Sequence, residues 1–287
     1  MEPPALEGVE HRFHDLPTGV RVHVAHAGPE DAPALVALHG FPQHWYAWRR
    51  VIPLLPGLRL LAMDLRGLGW SGPPAELDFR KARLAEDAVA LLDVLGIERA
   101  MLLGHDWGGW AGFIAALDTP ERWTGLVAAG IAHPWQPPAT ALRALPRLAY
   151  QPPLAVPVLG PRIVRTVVSR LLRAAWGDRA TYDDAAEEIY AARYREPEHA
   201  DAASRLYRDF LTRELARNDS VAGRRLQIPT RLLQGTRDPL GTALALGLER
   251  HGDDASTILL EGCGHFVPEE RPAAIAAAVR EINHSAP

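Results

Sequence analysis

One stretch limits this chain more than any other: Leu103-Gly104-His105-Asp106-Trp107-Gly108-Gly109. The apolar run Ala100-Met101-Leu102-Leu103 before it predicts a buried strand, and the run from Trp110 to Leu117 after it predicts a helix. A residue caught between a strand end and a helix start sits on a very sharp turn. Such a turn tolerates only small neighbours, and Gly104, Gly108 and Gly109 supply them. Any fold the chain adopts must therefore put Asp106 on a tight corner. An aspartate there can cap the helix or do chemistry, and the rest of the chain has to decide between the two.

The remaining pattern is strand and helix in alternation. Residues 8–27, broken by Pro17-Thr18-Gly19, predict a hairpin. Residues 33–38 and 58–63 are apolar runs suited to strands covered on both faces. A helix is expected near 44–54. Residues 78–95 predict an amphipathic helix, with Leu84, Ala88, Leu91, Leu92 and Leu95 on one face and Gly96 at its end. Residues 125–131 are a further strand. This alternation predicts a mostly parallel sheet with helices on both faces and ligands at the carboxyl ends of its strands. His39-Gly40, Asp64 and Asp106 all fall at such ends and should share one edge. Residues 133–161 are then rich in proline, and 162–176, 181–194 and 198–217 read as helices. Alternation resumes with a strand at 230–235, a helix near 241–251, a strand at 256–260 and a helix at 268–283. The division expected is a first core segment (1–133), an inserted helical cap (134–221) and a second core segment (222–287).

Composition narrows the function. A net charge of −4, with arginines scattered among acids, offers no basic stripe for nucleic acid. A single cysteine, Cys263, cannot form an internal disulfide and fits a reducing compartment. No apolar leader follows the acidic N-terminus and no run is long enough to span a bilayer, so a cytoplasmic protein that does not meet membranes is expected. The histidines show no metal-ligand spacing and no phosphate-cradling fingerprint appears, so neither metal nor organic cofactor is implied.

Asp106 has two partners in sequence. Asp238, in Gly235-Thr236-Arg237-Asp238-Pro239, and His265, in Gly262-Cys263-Gly264-His265-Phe266, each lie just past a predicted strand. The Gly104-to-Gly109 string has the shape of the G-x-S-x-G elbow with aspartate in place of serine. Together with His39-Gly40-Phe41-Pro42, the chain resembles the α/β-hydrolase superfamily in its aspartate-nucleophile branch, which includes epoxide hydrolases and haloalkane dehalogenases. The resemblance covers nearly the whole chain and is loosest through the cap. It implies an α/β-hydrolase fold, a mostly parallel sheet flanked by helices with an inserted helical cap. It also implies the chain order nucleophile (Asp106), acid (Asp238), histidine (His265). A carboxylate is ionised at neutral pH and can displace a leaving group at saturated carbon. The resulting ester has a carbonyl that water, activated by His265 and steadied by Asp238, can attack. The backbone N–H groups of Phe41 and Trp107 are the natural oxyanion donors.

The leaving group separates the two subfamilies. Opening an epoxide makes an alkoxide that needs a proton donor, which a tyrosine can be. The epoxide hydrolases this chain resembles carry two cap tyrosines, the second often followed by arginine. Tyr207-Arg208 matches the second, and Tyr150 is the candidate for the first. Tyr182, Tyr190 and Tyr194 are assigned to packing. Halide departure instead wants N–H donors. Trp107 could supply one, but Phe41 stands where many dehalogenases have asparagine, leaving Trp135 or Trp176 as the second donor. The sequence expectation is a cofactor-free epoxide hydrolase acting on a small apolar epoxide and water, with haloalkane dehalogenase and a non-catalytic ligand-binding member of the fold as alternatives. A homodimer is compatible with the sequence but not specified by it.

Overall fold

In the computed structural model, which describes residues 1–215 and 221–285, eight strands form one sheet. They are β1 (Val9–Leu16), β2 (Val20–Ala27), β3 (Ala34–Leu38), β4 (Arg59–Met63), β5 (Ala100–His105), β6 (Trp123–Ala129), β7 (Thr230–Gly235) and β8 (Ala255–Leu260). Their order is β1-β2-β4-β3-β5-β6-β7-β8. The hairpin of β1 and β2 joins β4 antiparallel, and every other pairing is parallel. β5 and β7 are buried along their whole length and β3 along all but its first residue, which explains the apolar runs Ala34–Leu38 and Ala100–Leu103; β7 is apolar only at Leu232 and Leu233 in its middle.

Helices cover both faces. α1 (Lys81–Val94) and α2 (Trp107–Asp118) lie on one side, where Leu84, Leu91 and Phe113 join Val36, Leu102 and Leu126. Each fully buried leucine of this kind contributes about 2 kcal/mol. Between β6 and β7 the chain makes α3 (Pro138–Ala144), α4 (Gln151–Ala155), α5 (Leu159–Ala175), α6 (Asp184–Arg195) and α7 (Pro197–Asp209). The α5–α7 stripe of Val164, Val168, Leu172, Ala203 and Leu206 belongs to the same apolar cluster as the sheet. α8 (Val267–Glu270) and α9 (Pro272–Ser285) follow β8, and Ile275, Val279 and Ile282 of α9 pack with Leu35, Leu103 and Val127 on the opposite side. Among the described residues, no helix is long and apolar enough to cross a membrane.

Several elements differ from the sequence expectation. The helix expected near 44–54 is two 3-10 turns, Trp45–Trp48 and Ile52–Leu54. Trp45 and Trp48, three apart and both buried, align at three residues per turn, and Pro53 falls in the second turn. The segment at 241–251 is likewise two 3-10 turns, separated by Gly247 at φ 97°. The last helix is cut at Pro272, which lacks the N–H to continue it. Two short helices occupy the proline-rich stretch, α3 starting on Pro138 and α4 carrying prolines in its first turn, where their missing N–H costs nothing. The helix expected over 198–217 is α helix to Asp209 and a π turn over Phe210–Glu214; residues 216 and 217 lie outside the described residues.

Candidate active site

Asp106 closes β5 and opens α2 with φ 50° and ψ −121°, a conformation non-glycine residues rarely hold. The surrounding glycines are required by closeness. A Cβ on Gly108 would run into the carbonyls of Leu38 and His39, and one on Gly40 would overlap the Asp106 side chain. The aspartate makes no side-chain cap to its helix. Its carboxylate turns instead toward the β3 turn, where Phe41 N–H donates to Oδ2 at 2.9 Å. Helix capping therefore does not account for Asp106.

Asp238 and His265 arrive from the loops that follow β7 and β8, two and three strands along the sheet from β5. His265 Nδ1 lies 2.9 Å from Asp238 Oδ2, and its Nε2 lies 3.8 Å from Asp106 Oδ1. The imidazole thus stands between the two carboxylates. Asp238 is itself fixed by Gln234 Nε2 on Oδ2 and Leu240 N–H on Oδ1, both at 2.8 Å. His105 Nε2 donates to the His265 carbonyl at 2.9 Å, and Glu270 accepts N–H groups from Gly177, Asp178 and Gly264, bracing the same loop. Gln234, His105 and Glu270 were not singled out from sequence. Each acts through backbone or second-partner contacts that spacing does not encode.

The electrostatics follow from burial. Desolvation is the largest influence on Asp106 and raises it to about 6, against the pull of His265 and the N–H groups of Trp107 and Phe41. For His265 burial pushes downward, but the charge and hydrogen bond of Asp238 and the charge of Asp106 prevail and raise it to about 9. Asp238 is held low despite its burial, by the charge and hydrogen bond of His265. At neutral pH the resting site therefore holds an ionised Asp106 beside an imidazolium.

The inserted helices bring in the tyrosines. Tyr207 of α7 is 2% exposed and packs edge-on against both Phe41 and Trp107, at 5.4 and 5.5 Å between ring centres. Tyr150, just before α4, lies 6.1 Å from Tyr207 on the same measure. Tyr150 is 38% exposed as a residue, yet desolvation of its hydroxyl, followed by the charge of Asp106, raises it to about 12; Tyr207 is raised well above the usual phenol range, first by burial. Both tyrosines line a cavity of about 190 Å³ with Asp106, His265 and Asp238. A second cavity of about 390 Å³, walled largely by Trp107, Ile131, Leu145, Leu148 and Phe210, also reaches Asp106 and Tyr150. Tyr190 and Tyr194 are fully buried, as expected for packing, although Tyr190 also bonds Glu269.

Neither candidate for a second indole donor is available: Trp135 Nε1 donates to the Val221 and Arg224 carbonyls, and Trp176 Nε1 to Thr181. One acid and histidine group among the described residues, Glu196, Glu198 and His199, has donor atoms close enough for a metal. Arg193 donates to Glu196 and to His199 Nε2, so these ligand atoms are already engaged.

Residues 33–272 match the family described as alpha/beta hydrolase fold. The chain belongs to that family. It is 30% identical over 286 residues to the AB hydrolase superfamily protein YfhM of Bacillus subtilis, covering 96% of this chain and 98% of that protein. It is 29% identical to Epoxide hydrolase A of Mycobacterium tuberculosis, over 92% of this chain and 94% of the relative. Among solved structures, the epoxide hydrolase VrEH1 of Vigna radiata superposes with a TM-score of 0.82 at 25% identity, covering 98% of this chain and 100% of that one. The eight-stranded α/β hydrolase thus belongs to a family some of whose relatives are named epoxide hydrolases.

Proposed function

We propose that this α/β hydrolase opens epoxides to vicinal diols through an ester on Asp106. The observation that carries the reading is one cavity lined by an ionised carboxylate, a histidine–aspartate pair and two tyrosine hydroxyls. An epoxide entering it accepts hydrogen bonds from Tyr150 and Tyr207 on its oxygen. Asp106 Oδ1, the oxygen not held by Phe41 N–H, attacks a ring carbon, and the C–O bond breaks as a tyrosine gives its proton to the departing alkoxide. The second carboxyl oxygen becomes the ester carbonyl, facing the N–H groups of Phe41 and Trp107.

Esterification then changes the histidine. With Asp106 neutralised, His265 loses one of the charges that hold its proton, while burial continues to favour the neutral ring. The base thereby becomes available at the step that needs one. The imidazolium first passes its proton, through water, to the tyrosinate left by ring opening. Neutral His265 then takes a proton from water as hydroxide adds to the ester carbon. It gives that proton to the alkoxide as collapse releases the diol, and takes the proton of the carboxylic acid so that Asp106 is again a carboxylate beside an imidazolium. Asp238 holds the tautomer with Nδ1–H toward itself. The helices between β6 and β7 serve as the cap, spanning roughly residues 134–221 and supplying both tyrosines and the cavity walls.

A second reading, haloalkane dehalogenase, draws on the buried Trp107 indole N–H, which has no hydrogen-bond partner. Phe41 and the engaged indoles of Trp135 and Trp176 count against it. A panel of epoxides and bromoalkanes decides: diol formation without bromide release supports the proposal. Bromide release with every epoxide left intact refutes it.

A further inference from the structure

The chain contains one lysine among its 31 basic residues, and that lysine is wholly buried. Lys81 begins α1 beneath the inserted helices. Its Nζ donates to Glu214 Oε2 at 2.8 Å and to the Leu206 carbonyl at 3.1 Å. Its backbone N–H donates to Glu214 Oε1 at 2.8 Å, and nearby Phe79 N–H donates to Asp209 at 2.7 Å. The ammonium also lies 4.3 Å from the centre of the Trp107 indole and 5.0 Å from that of Phe210. With three hydrogens and two oxygen acceptors, the ammonium has one left for the ring faces.

A buried lysine is costly where an apolar side chain could fill the same space. Here its contacts converge on two residues of the site. The Leu206 carbonyl it holds is the peptide leading into Tyr207. The indole it contacts follows Asp106 directly and packs against Tyr207. Burial lowers the lysine's affinity for its proton, while Glu214 by charge and hydrogen bond, and then Asp209 and Asp106 by charge, oppose the loss.

We infer that Lys81 is a positioning residue for ring opening: it fixes Tyr207 over the nucleophile through the Leu206 carbonyl and holds its Glu214-paired ammonium against Trp107 where the alkoxide develops. The inference rests on the epoxide reading. It assigns the cation to one of the two chemical steps, because Lys81 touches nothing in the pair His265–Asp238 that serves ester hydrolysis. A preorganised charge of this kind acts on the step in which charge appears nearby.

The test measures the two steps separately. Epoxide is mixed with excess enzyme, quenched in acid at intervals and examined by intact-mass spectrometry for growth and decay of the alkyl adduct. Lys81→Met should slow adduct growth roughly tenfold and leave adduct decay within about twofold of the parent. Because Lys81→Met removes the cation that faces Glu214, the double variant Lys81→Met with Glu214→Gln is measured beside it. It should melt at a higher temperature than the single variant yet keep the slow growth. Parent-like adduct growth in the double variant, or equal loss in growth and decay, overturns the role of Lys81. If the parent protein itself forms no adduct with any epoxide, the epoxide reading falls first and takes this role with it.

Discussion

The two halves of the cavity are built differently. Asp106, His265, Asp238 and the Phe41 turn all sit at the carboxyl ends of parallel strands, and their geometry is set by backbone. Tyr150 and Tyr207 come from the helical stretch inserted between β6 and β7, and side-chain packing sets their geometry, Tyr207 on Phe41 and Trp107 and Tyr150 on Tyr207. On the sheet side a carboxylate is pinned within a strained turn; on the helical side two hydroxyls are held by rings. In this account the sheet side makes and breaks the ester, and the helical side only assists departure of the epoxide oxygen. Removing a group from the first half should therefore stop the reaction at a defined step, whereas removing one from the second should slow it.

The largest effect expected is at His265. His265→Gln should still be alkylated, but ester hydrolysis should fall by about 10⁴-fold, the scale of losing a positioned base. A lasting adduct on Asp106 in intact-mass and peptide spectra is the expected sign, and ordinary turnover would remove His265 from the scheme. Tyr207→Phe should cost about 10²-fold in ring opening while adduct decay stays unchanged, and Tyr150→Phe less, since Tyr207 remains on the epoxide oxygen. A tyrosine variant that accumulates adduct would blur the division between the halves. The pH profile sharpens it further. Asp106 attacks only when ionised, and its burial raises it to about 6. Ring opening measured by single turnover should therefore fall below about pH 6, approaching tenfold per pH unit, whereas decay of preformed adduct should follow the protonation of His265, whose proton Asp238 helps to hold. The smallest effect belongs to the apolar wall: Leu145→Ala should change the ratio of rates for long and short epoxides by only about threefold, read from a substrate series.

The same contrast explains what the sequence made legible. Strands β3 and β5 announce themselves because burial on both faces demands continuous apolar runs, and the corner at Asp106 because only glycine fits against Leu38, His39 and the Asp106 side chain. Strand ends, read with the chain order that the family resemblance implies, then point to His265 and Asp238. The inserted helices carry no such constraint. Their prolines hid α3 and α4, and Tyr150 had to be chosen from loose surroundings. Lys81 was legible only as the one lysine in a chain that otherwise uses arginine, and its contact with Trp107 depends on the docking of α1 beneath the π turn at Phe210–Glu214.

The central claim is a bond between substrate carbon and the Asp106 carboxylate. Single turnover in oxygen-18 water, with enzyme in excess over epoxide, tests it by following where the heavy oxygen goes. The account predicts a first diol whose new hydroxyl is unlabelled, its oxygen having come from Asp106, and a labelled carboxylate in the peptide that carries that residue. A first diol bearing the full label, with none on Asp106, would mean that water opens the ring directly and would contradict it.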